Sequence, residues 1–273
     1  MLKALRPAFL ALLIGLSGGA SADTLDDVKA RGKLIVGVEA GGTGAILSAE
    51  PGGKIVGQDA DLNALVAKKL GVELQMVETP WPGIIPALLS SRFDMIMSGM
   101  TATAARAERV NFSVPYGDAS LVAASLAAND KMASTVDFPG KTIGVLLGTN
   151  TAEFAKTYSA KLVAQGQPPL TIKTYDDIPS MLVELTNKNI DALMLPRPII
   201  SGYLAKKPGV FKLIDGLGDK SYFAVAIRKE DARLLETVNA ILMEARKDGT
   251  LAALQTKWLG APTVGLPETW AAK

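Results

Sequence analysis

Short apolar runs alternate along the chain with segments whose apolar residues recur at helical spacing. The first run, 34–38, is followed by a periodic segment that begins at an N-cap, Asp59 or Asp61, and ends at Gly71, and a second run covers 72–77. Apolar strands separated by amphipathic helices are typical of a parallel sheet with helices on its faces. The sequence therefore predicts an α/β protein.

A helix, a polar turn, an aspartate and a buried strand occur twice in this order. The segments 84–97 and 181–194 align at a constant offset of 97 residues, and Asp94 aligns with Asp191. Two similar α/β lobes explain this repeat, and a chance similarity between two helix–strand units is the alternative.

No linker rich in glycine, serine or proline separates the two halves. Segment 113–124 instead has the pattern of extended chain that passes from one lobe to the other. A strand predicted over 222–227 then precedes an amphipathic helix over 231–247, whose apolar face needs a lobe to cover it. Two crossings make a hinged cleft, and clefts between domains are common binding sites for small molecules.

The first 22 residues have the pattern of a cleaved signal peptide. Lys3 and Arg6 precede an apolar run over 8–16, and the small residues of 20–22 form a cleavage site. The apolar run is too short to cross a bilayer as a helix, which needs about 20 residues. We therefore expect export to a periplasm and a mature chain that begins near Asp23.

The composition excludes several kinds of chemistry. The chain contains no cysteine and no histidine, so it has no disulfide, no thiolate nucleophile, no Ser-His-Asp triad and no histidine-bound zinc. Its 29 basic and 27 acidic residues are scattered, and this gives no electrostatic support for nucleic acid as a partner. Most hydrolase chemistry is therefore excluded, and we expect neither a metal nor a cofactor.

Motifs spread over nearly the whole mature chain resemble one family. They are 32–37, 55–62, 81–88, 93–101, Arg106, 112–116, 144–149 and 248–251. In this order and spacing they are similar to the periplasmic amino-acid-binding proteins of ABC importers, solute-binding protein family 3.

The resemblance implies a two-lobed periplasmic-binding-protein type II fold with a two-strand hinge and a ligand cleft between the lobes. The first lobe is expected over 23–118 plus 224–273, and the second over 119–223. The implied function is that of a monomeric periplasmic receptor, which captures a small carboxylate-bearing solute and delivers it to an ABC permease in the inner membrane.

The resemblance also implies a carboxylate site on the first lobe, formed by Arg106 and a loop of four residues, namely Ser98, Gly99, Met100 and Thr101. The sequence independently favours an anion there, because free amides follow a buried strand and Thr103 is placed to cap a helix from Ala104. The alternative is a surface arginine that pairs with Glu73 or Glu108.

Two further sites of contact follow from the resemblance. In the second lobe, Thr149 and Asn150 begin a helix whose amides complete the carboxylate site; the alternative is that either residue only caps its own helix. Trp81 lies between two prolines and forms an aromatic wall of the pocket, where a lone tryptophan is otherwise more often part of a core.

The sequence departs from the family at two points that bear on the ligand. Segment 39–46 contains no aromatic residue and is rich in glycine, whereas relatives place a second aromatic wall there. Pro196 stands where relatives have the aspartate that binds the ligand's ammonium group. Either Glu39 or Asp118 replaces that aspartate, or Arg197 faces the cleft and the ligand carries a second anionic group. Glu39 and Arg197 are therefore the candidate selectivity residues.

Two other functions are compatible with the same fold. Segments 25–28 and 79–82 resemble the cyclohexadienyl dehydratases, which use a carboxylate from the region of 196–198, where this chain has Pro-Arg-Pro. The missing acid favours binding over dehydration. A subunit that delivers ligand to a sensor is the third possibility.

Overall fold

The structure is a computed structural model and describes residues 24–41, 44–204 and 207–271. The signal peptide expected over 1–22 lies outside the described residues. Among the described residues, no helix is both long and apolar enough to span a bilayer.

One five-stranded sheet and its helices form the first half of the fold. The strand order is β4-β1-β5-β14-β6, in which β1 is parallel to both neighbours and β14 is antiparallel to its own. Its elements, with a small hairpin of β2 and β3, are α1 (Thr24–Arg31), β1 (Lys33–Val38), β2 (Ser48–Ala49), β3 (Ile55–Val56), α2 (Gln58–Leu70), β4 (Glu73–Glu78), α3 (Trp81–Leu89), β5 (Met95–Ile96), α4 (Ala104–Ala107), β6 (Val110–Phe112), β14 (Ala226–Arg228), α8 (Ala232–Lys247) and α9 (Thr250–Leu259).

A second five-stranded sheet has the order β10-β9-β11-β8-β12. Here β9 is parallel to β10 and β11, while β8 is antiparallel to β11 and β12. Its elements are β8 (Leu121–Leu126), a 3-10 turn (Thr135–Asp137), β9 (Thr142–Leu146), α5 (Asn150–Ala164), β10 (Thr171–Tyr175), α6 (Ile178–Thr186), β11 (Ala192–Pro196), α7 (Arg197–Leu204) and β12 (Phe211–Leu217).

The chain crosses between the sheets twice, through a two-stranded ribbon. Strand β7 (Gly117–Asp118) leads out of the first sheet, and β13 (Tyr222–Phe223) leads back into it; the two strands pair antiparallel. The continuous strand expected over 222–227 is therefore two strands, β13 and β14. It breaks because its first part belongs to the ribbon and its last part to the first sheet.

The internal repeat is real in three dimensions. Helices α3 and α6 begin and end 97 residues apart, and each is followed by a non-glycine residue with positive φ, Ser91 at 58° and Lys188 at 61°. The carboxylates of Asp94 and Asp191 each accept the backbone N–H of a neighbouring strand, at 2.7 and 2.8 Å. The same helix, left-handed turn and aspartate-to-amide hydrogen bond thus occur once in each lobe.

The start of α2 differs from the expectation, while its end agrees. Gly71 is the left-handed C-cap, but the N-cap is Gly57, and neither Asp59 nor Asp61 caps the helix. The first amides of α2 instead donate to the backbone carbonyls of Ala45 and Ile46. A Cβ atom on residue 57 would lie 2.3 Å from one of those carbonyl oxygens, so glycine is needed there. The two aspartates are thereby released for other contacts.

Apolar side chains of both lobes form one continuous cluster. It joins Ile46 and Leu47 of the first lobe with Leu195, Ile199 and Ile200 of the second. Buried apolar surface therefore extends from one lobe to the other, and we call the arrangement in which the lobes touch in this way the closed arrangement.

The paired left-handed residues generate a stability prediction. A non-glycine residue in this region costs about 1–2 kcal/mol, partly offset by the larger entropy that glycine loses on folding. We expect Ser91→Gly and Lys188→Gly each to raise the free energy of unfolding by about 0.5–1 kcal/mol, measured by denaturant titration. Ser90→Gly is the control, because φ at that position is −90° and the substitution gains nothing. A decrease in stability for both variants would contradict the prediction.

Candidate functional site

A buried carboxylate fixes the loop that follows β5. Asp59 accepts hydrogen bonds from the backbone N–H of Gly99 at 2.6 Å and from the hydroxyl of Tyr116 at 2.7 Å. Burial raises the pKa of Asp59 to about 6, although these hydrogen bonds oppose the shift. The amide of Gly99 is thus used inside the protein, so this residue lines the cleft without offering that N–H to a ligand.

The other residues of this loop divide between the cleft and the core. Ser98 accepts the backbone N–H of Glu39 at 2.9 Å and thereby joins the two loops. Thr101 bridges to Phe223 of the ribbon and lines the cleft. Met100 does not line the inner pocket: its side chain is fully buried in the cluster that contains Trp81. It alternates with cleft-facing neighbours and so points into the first lobe.

Arg106 is held at the cleft by its neighbours in sequence and forms no ion pair with an acid in the part of the chain that the structure describes. Thr103 caps α4 as expected by accepting the N–H of Arg106, and the guanidinium donates to the carbonyl of Thr101 at 2.9 Å. Desolvation lowers the pKa of Arg106 to about 10, so the group stays charged at neutral pH. Among the described residues, neither Glu73 nor Glu108 forms an ion pair with it. A cation in this setting is suited to an anionic ligand.

Trp81 contacts a cation through its ring and a carboxyl group through its backbone N–H. The guanidinium carbon of Arg106 is 5.4 Å from the indole centroid, within the range of a cation–π contact. The backbone N–H of Trp81, at the start of α3, donates to the carboxylate of Glu39. Burial raises the pKa of Glu39 to about 7, and the nearby charge of Glu78 adds to the shift.

The second lobe contributes the beginning of α5. Thr149 is the N-cap, as expected, and accepts the N–H of Ala152 at 3.3 Å. Thr149 and Asn150 both line the cleft, so capping and a place at the site coexist. A Cβ atom at Gly148 would lie 3.4 Å from Pro82, which means that α5 approaches the first lobe closely.

The cleft has a small inner pocket and a larger outer cavity. The inner pocket has a volume of 30 Å³ and the outer cavity, which contains Arg106, 670 Å³; Thr101, Thr149 and Asn150 line both. The inner volume holds only about one or two water molecules. The inner pocket is lined by Glu39, Trp81, Ser98, Gly99, Thr101, Leu146, Thr149, Asn150, Thr151, Ile178, Leu195, Pro196 and Ile199.

Arg197 is not brought into this cleft. It begins α7, pairs with Asp215 and lines a separate groove of 520 Å³, which also contains Asp118. Pro196 does line the inner pocket, and the helix that starts directly after it carries the next side chain to the other side. Of the acids proposed to replace the missing aspartate, Glu39 is the one that lines the inner pocket.

The sequence analysis missed several apolar residues of the pocket, although the repeat contained the signal. Ile178 and Leu195 lie 97 residues after Trp81 and Ser98, and all four line the inner pocket. Pro196 stands in the same relation to Gly99. The two halves of the repeat therefore face each other across the cleft. Nothing in the sequence indicated that Asp59 would hold the loop.

No group of three or more potential metal ligands occurs among the residues that the structure describes. The cleft contains the Arg106 cation, the Glu39 carboxyl group of raised pKa, the exposed acids Glu153 and Asp219 of the outer cavity, hydroxyl and amide groups of both lobes, and an apolar wall from the second lobe.

This fold and site define a solute-binding protein, and comparison with known proteins agrees. The chain belongs to the bacterial extracellular solute-binding proteins, family 3, whose model matches residues 34–261. It is 33% identical over 256 residues to the L-cystine-binding protein TcyJ of Escherichia coli (strain K12), which covers 92% of each chain.

Two solved structures are also similar. A mutant of ArgBP from T. maritima has a TM-score of 0.78 and 33% identity, covering 86% of this chain and 99% of its own. The ancestral amino acid-binding protein AncCDT-1, described as a precursor of cyclohexadienyl dehydratase, has a TM-score of 0.78 and 34% identity, covering 87% and 100%. Relatives of this family bind solutes, and their fold is the two-lobed one found here.

The raised pKa of Glu39 predicts how stability depends on pH. The native protein binds this proton more tightly than the unfolded chain, whose value is near 4.5. The contribution to stability is therefore present at low pH and is lost as the pH rises from 4.5 to about 7.

We expect the unfolding free energy of Glu39→Gln to decrease less than that of the unsubstituted protein between pH 4.5 and about 7, measured by denaturant titration without ligand. Glu73→Gln, at an exposed position of β4, is the control and should follow the unsubstituted protein. Parallel curves for Glu39→Gln and the unsubstituted protein would contradict the assignment.

Proposed function

We propose that this protein is the exported receptor of an ABC importer and that it captures a zwitterionic amino acid between its lobes. Residues 1–22 direct export to the periplasm, and the mature protein acts as a monomer that presents its ligand to the permease of the inner membrane. The lobes, 23–118 plus 224–273 and 119–223, close on the ligand because it contacts both only in the closed state.

The arrangement around Trp81 carries this proposal. The indole ring of Trp81 lies beside the Arg106 cation, and the backbone N–H of Trp81 donates to the Glu39 carboxylate. A ligand bound beside Trp81, where the two cavities share Thr101, Thr149 and Asn150, would therefore have a cation on the outer side and a carboxyl group on the inner side. An amino acid has the complementary pair of charges.

The carboxylate end of the ligand is assigned to Arg106 and the polar groups near it. Ser98 and Thr101 contribute from the first lobe, and Thr149 and Asn150 at the start of α5 contribute from the second. Hydrogen bonds from a helix N-terminus favour an anion. A carboxylate at this position also supplies the anionic partner that Arg106 does not find among the described residues.

The ammonium end is assigned to Glu39. Pro196 occupies the wall of the second lobe with neither a charge nor an N–H group. An ammonium group buried there without a counter-ion would be costly, and Glu39 supplies the charge. Arg106 lines the outer cavity, and Arg197 is paired with Asp215 in another groove, so a second anionic group of a ligand would meet Glu39 rather than a cation in the inner pocket.

The relatives support an amino acid as the class of ligand. TcyJ is named for L-cystine, and AncCDT-1 is described as amino acid-binding. The apolar wall that includes Ile178, Leu195 and Ile199 is suited to the carbon chain of the ligand.

A thermal-shift screen with matched ligands tests the assignment of both ends. We expect L-amino acids, with L-cystine and L-arginine among them, to stabilise the mature protein. Ligand at 100 times its dissociation constant adds about 2.7 kcal/mol. Deaminated analogues with the same carbon chain and simple dicarboxylates should have little effect. Stabilisation by dicarboxylates alone would overturn the assignment of Glu39.

Substitution of the arginine tests the carboxylate end. Loss of one partner of a desolvated charge pair costs about 2–5 kcal/mol, so we expect Arg106→Ala to weaken the binding of the amino acid found by the screen at least about 30-fold in calorimetry. Arg109→Ala is the matched control, because Arg109 is exposed one helical turn away. Equal affinities of the two variants would remove Arg106 from the site.

Dehydration is the second candidate function, and one observation favours it. Glu39 titrates near pH 7 in the pocket, which is a suitable property for a general acid. Incubation with prephenate and arogenate, followed by detection of aromatic products, distinguishes the two functions. We expect no turnover; turnover that is lost in Glu39→Gln would establish the enzyme.

A further inference from the structure

The two lobes meet beside the inner pocket at a point where residue 202 has no side chain. Helix α7 of the second lobe lies against the loop that precedes β2 in the first. A Cβ atom at Gly202 would lie 2.9 Å from the backbone nitrogen of Ala45 and 3.3 Å from its Cβ atom. A Cβ atom at Gly44 would lie 3.2 Å from the carbonyl oxygen of Ile199. We call these four residues the α7 contact.

Both sides of the α7 contact are fixed. On the first lobe, the carbonyls of Ala45 and Ile46 accept the first two amides of α2 at 2.9 and 3.0 Å. On the second lobe, the first residue of α7 donates its N–H to the carbonyl of Ser120 at 2.9 Å, and Ile200 is fully buried. Neither side can withdraw easily from an added methyl group.

The backbone of Gly202 does not itself require glycine. It lies in the interior of α7 and has no positive φ, and in such a position glycine weakens a helix relative to alanine. Alanine would therefore favour the helix. What excludes a side chain at residue 202 is the backbone of the opposite lobe.

The α7 contact is next to the ligand pocket. Ile199, which belongs to the contact, also lines the inner pocket. Burial raises the pKa of Tyr203, the next residue after Gly202, and the nearby charges of Asp177 and Glu39 add to the shift, so Tyr203 lies near Glu39. Movement of α7 away from the first lobe therefore opens the pocket at the Glu39 end.

We propose that Gly202 determines how far the lobes can close, and through closure the affinity for ligand, without touching the ligand. A side chain at this position collides with Ala45 only in the closed arrangement and is free of it when the lobes separate. The effect on affinity rests on the proposed binding function, whereas the effect on closure does not.

The substitutions Gly202→Ala and Gly202→Val test this in the mature protein. For Gly202→Ala we expect an unchanged or higher melting temperature without ligand, because alanine stabilises a helix relative to glycine. We also expect the dissociation constant for L-cystine or L-arginine to rise about 10- to 100-fold. Gly202→Val should weaken binding further. Opposite changes in stability and affinity distinguish a closure effect from general damage to the fold.

Gly83→Ala is the matched control. Gly83 also lies in a helix, α3, and a Cβ atom there has no neighbour within 4 Å. We expect its affinity to equal that of the unsubstituted protein. Unchanged affinity in both Gly202 variants would overturn the proposal.

A measurement without ligand keeps the two proposals separate. The chain contains no cysteine, so Lys68→Cys on α2 and Lys161→Cys on α5 allow one spin label to be placed on each lobe at exposed positions. We expect a short-distance population in the otherwise unsubstituted protein that Gly202→Val lacks. Identical distance distributions would overturn the role of Gly202. A changed distribution together with no binding of any amino acid would overturn the proposed function alone.

Discussion

The hydrogen bonds to the buried carboxylate of Asp59 are the interaction on which the site depends most. Asp59 holds Gly99 in the loop before α4 and Tyr116 just before the crossing ribbon. One side chain on α2 thus positions both the loop that carries Thr101 and the chain that leaves for the second lobe. Burying this carboxyl group is costly, as its raised pKa indicates, and the donors around it offset that cost.

The pocket is built from two copies of one helix–strand unit, but the two copies contribute different chemical groups to it. Trp81 and Ser98 from the first unit face Ile178 and Leu195 from the second. The first lobe supplies Arg106 and Glu39, and the second supplies an apolar wall, the start of α5 and the exposed acids Glu153 and Asp219 of the outer cavity. Both lobes therefore shape the cleft, whereas the two charged groups that contact Trp81 come from the first lobe.

The close approach of the lobes depends on glycine positions that have no side chain. The lobes approach through the missing side chains of Gly148 and Gly202, and the inner pocket shrinks to 30 Å³. Packed surfaces have discrete arrangements because steric repulsion rises steeply at short range. Close contact between the lobes thus depends on positions outside the ligand pocket as well as on the residues that line it.

One could predict the α/β architecture, the repeat, the cap at Thr103 and the positions of Trp81 and Arg106 from the sequence, because periodicity, capping and motif spacing are local properties. The other features depend on contacts between distant parts of the chain. The carbonyls of Ala45 and Ile46 accept the first amides of α2, so Asp59 does not cap the helix and instead accepts the N–H of Gly99 in the loop. The helix after Pro196 carried Arg197 to Asp215, and Met100 turned into the core. In each case the outcome depended on partners distant in sequence that compete for the same amide, charge or space, and no local pattern encodes that competition.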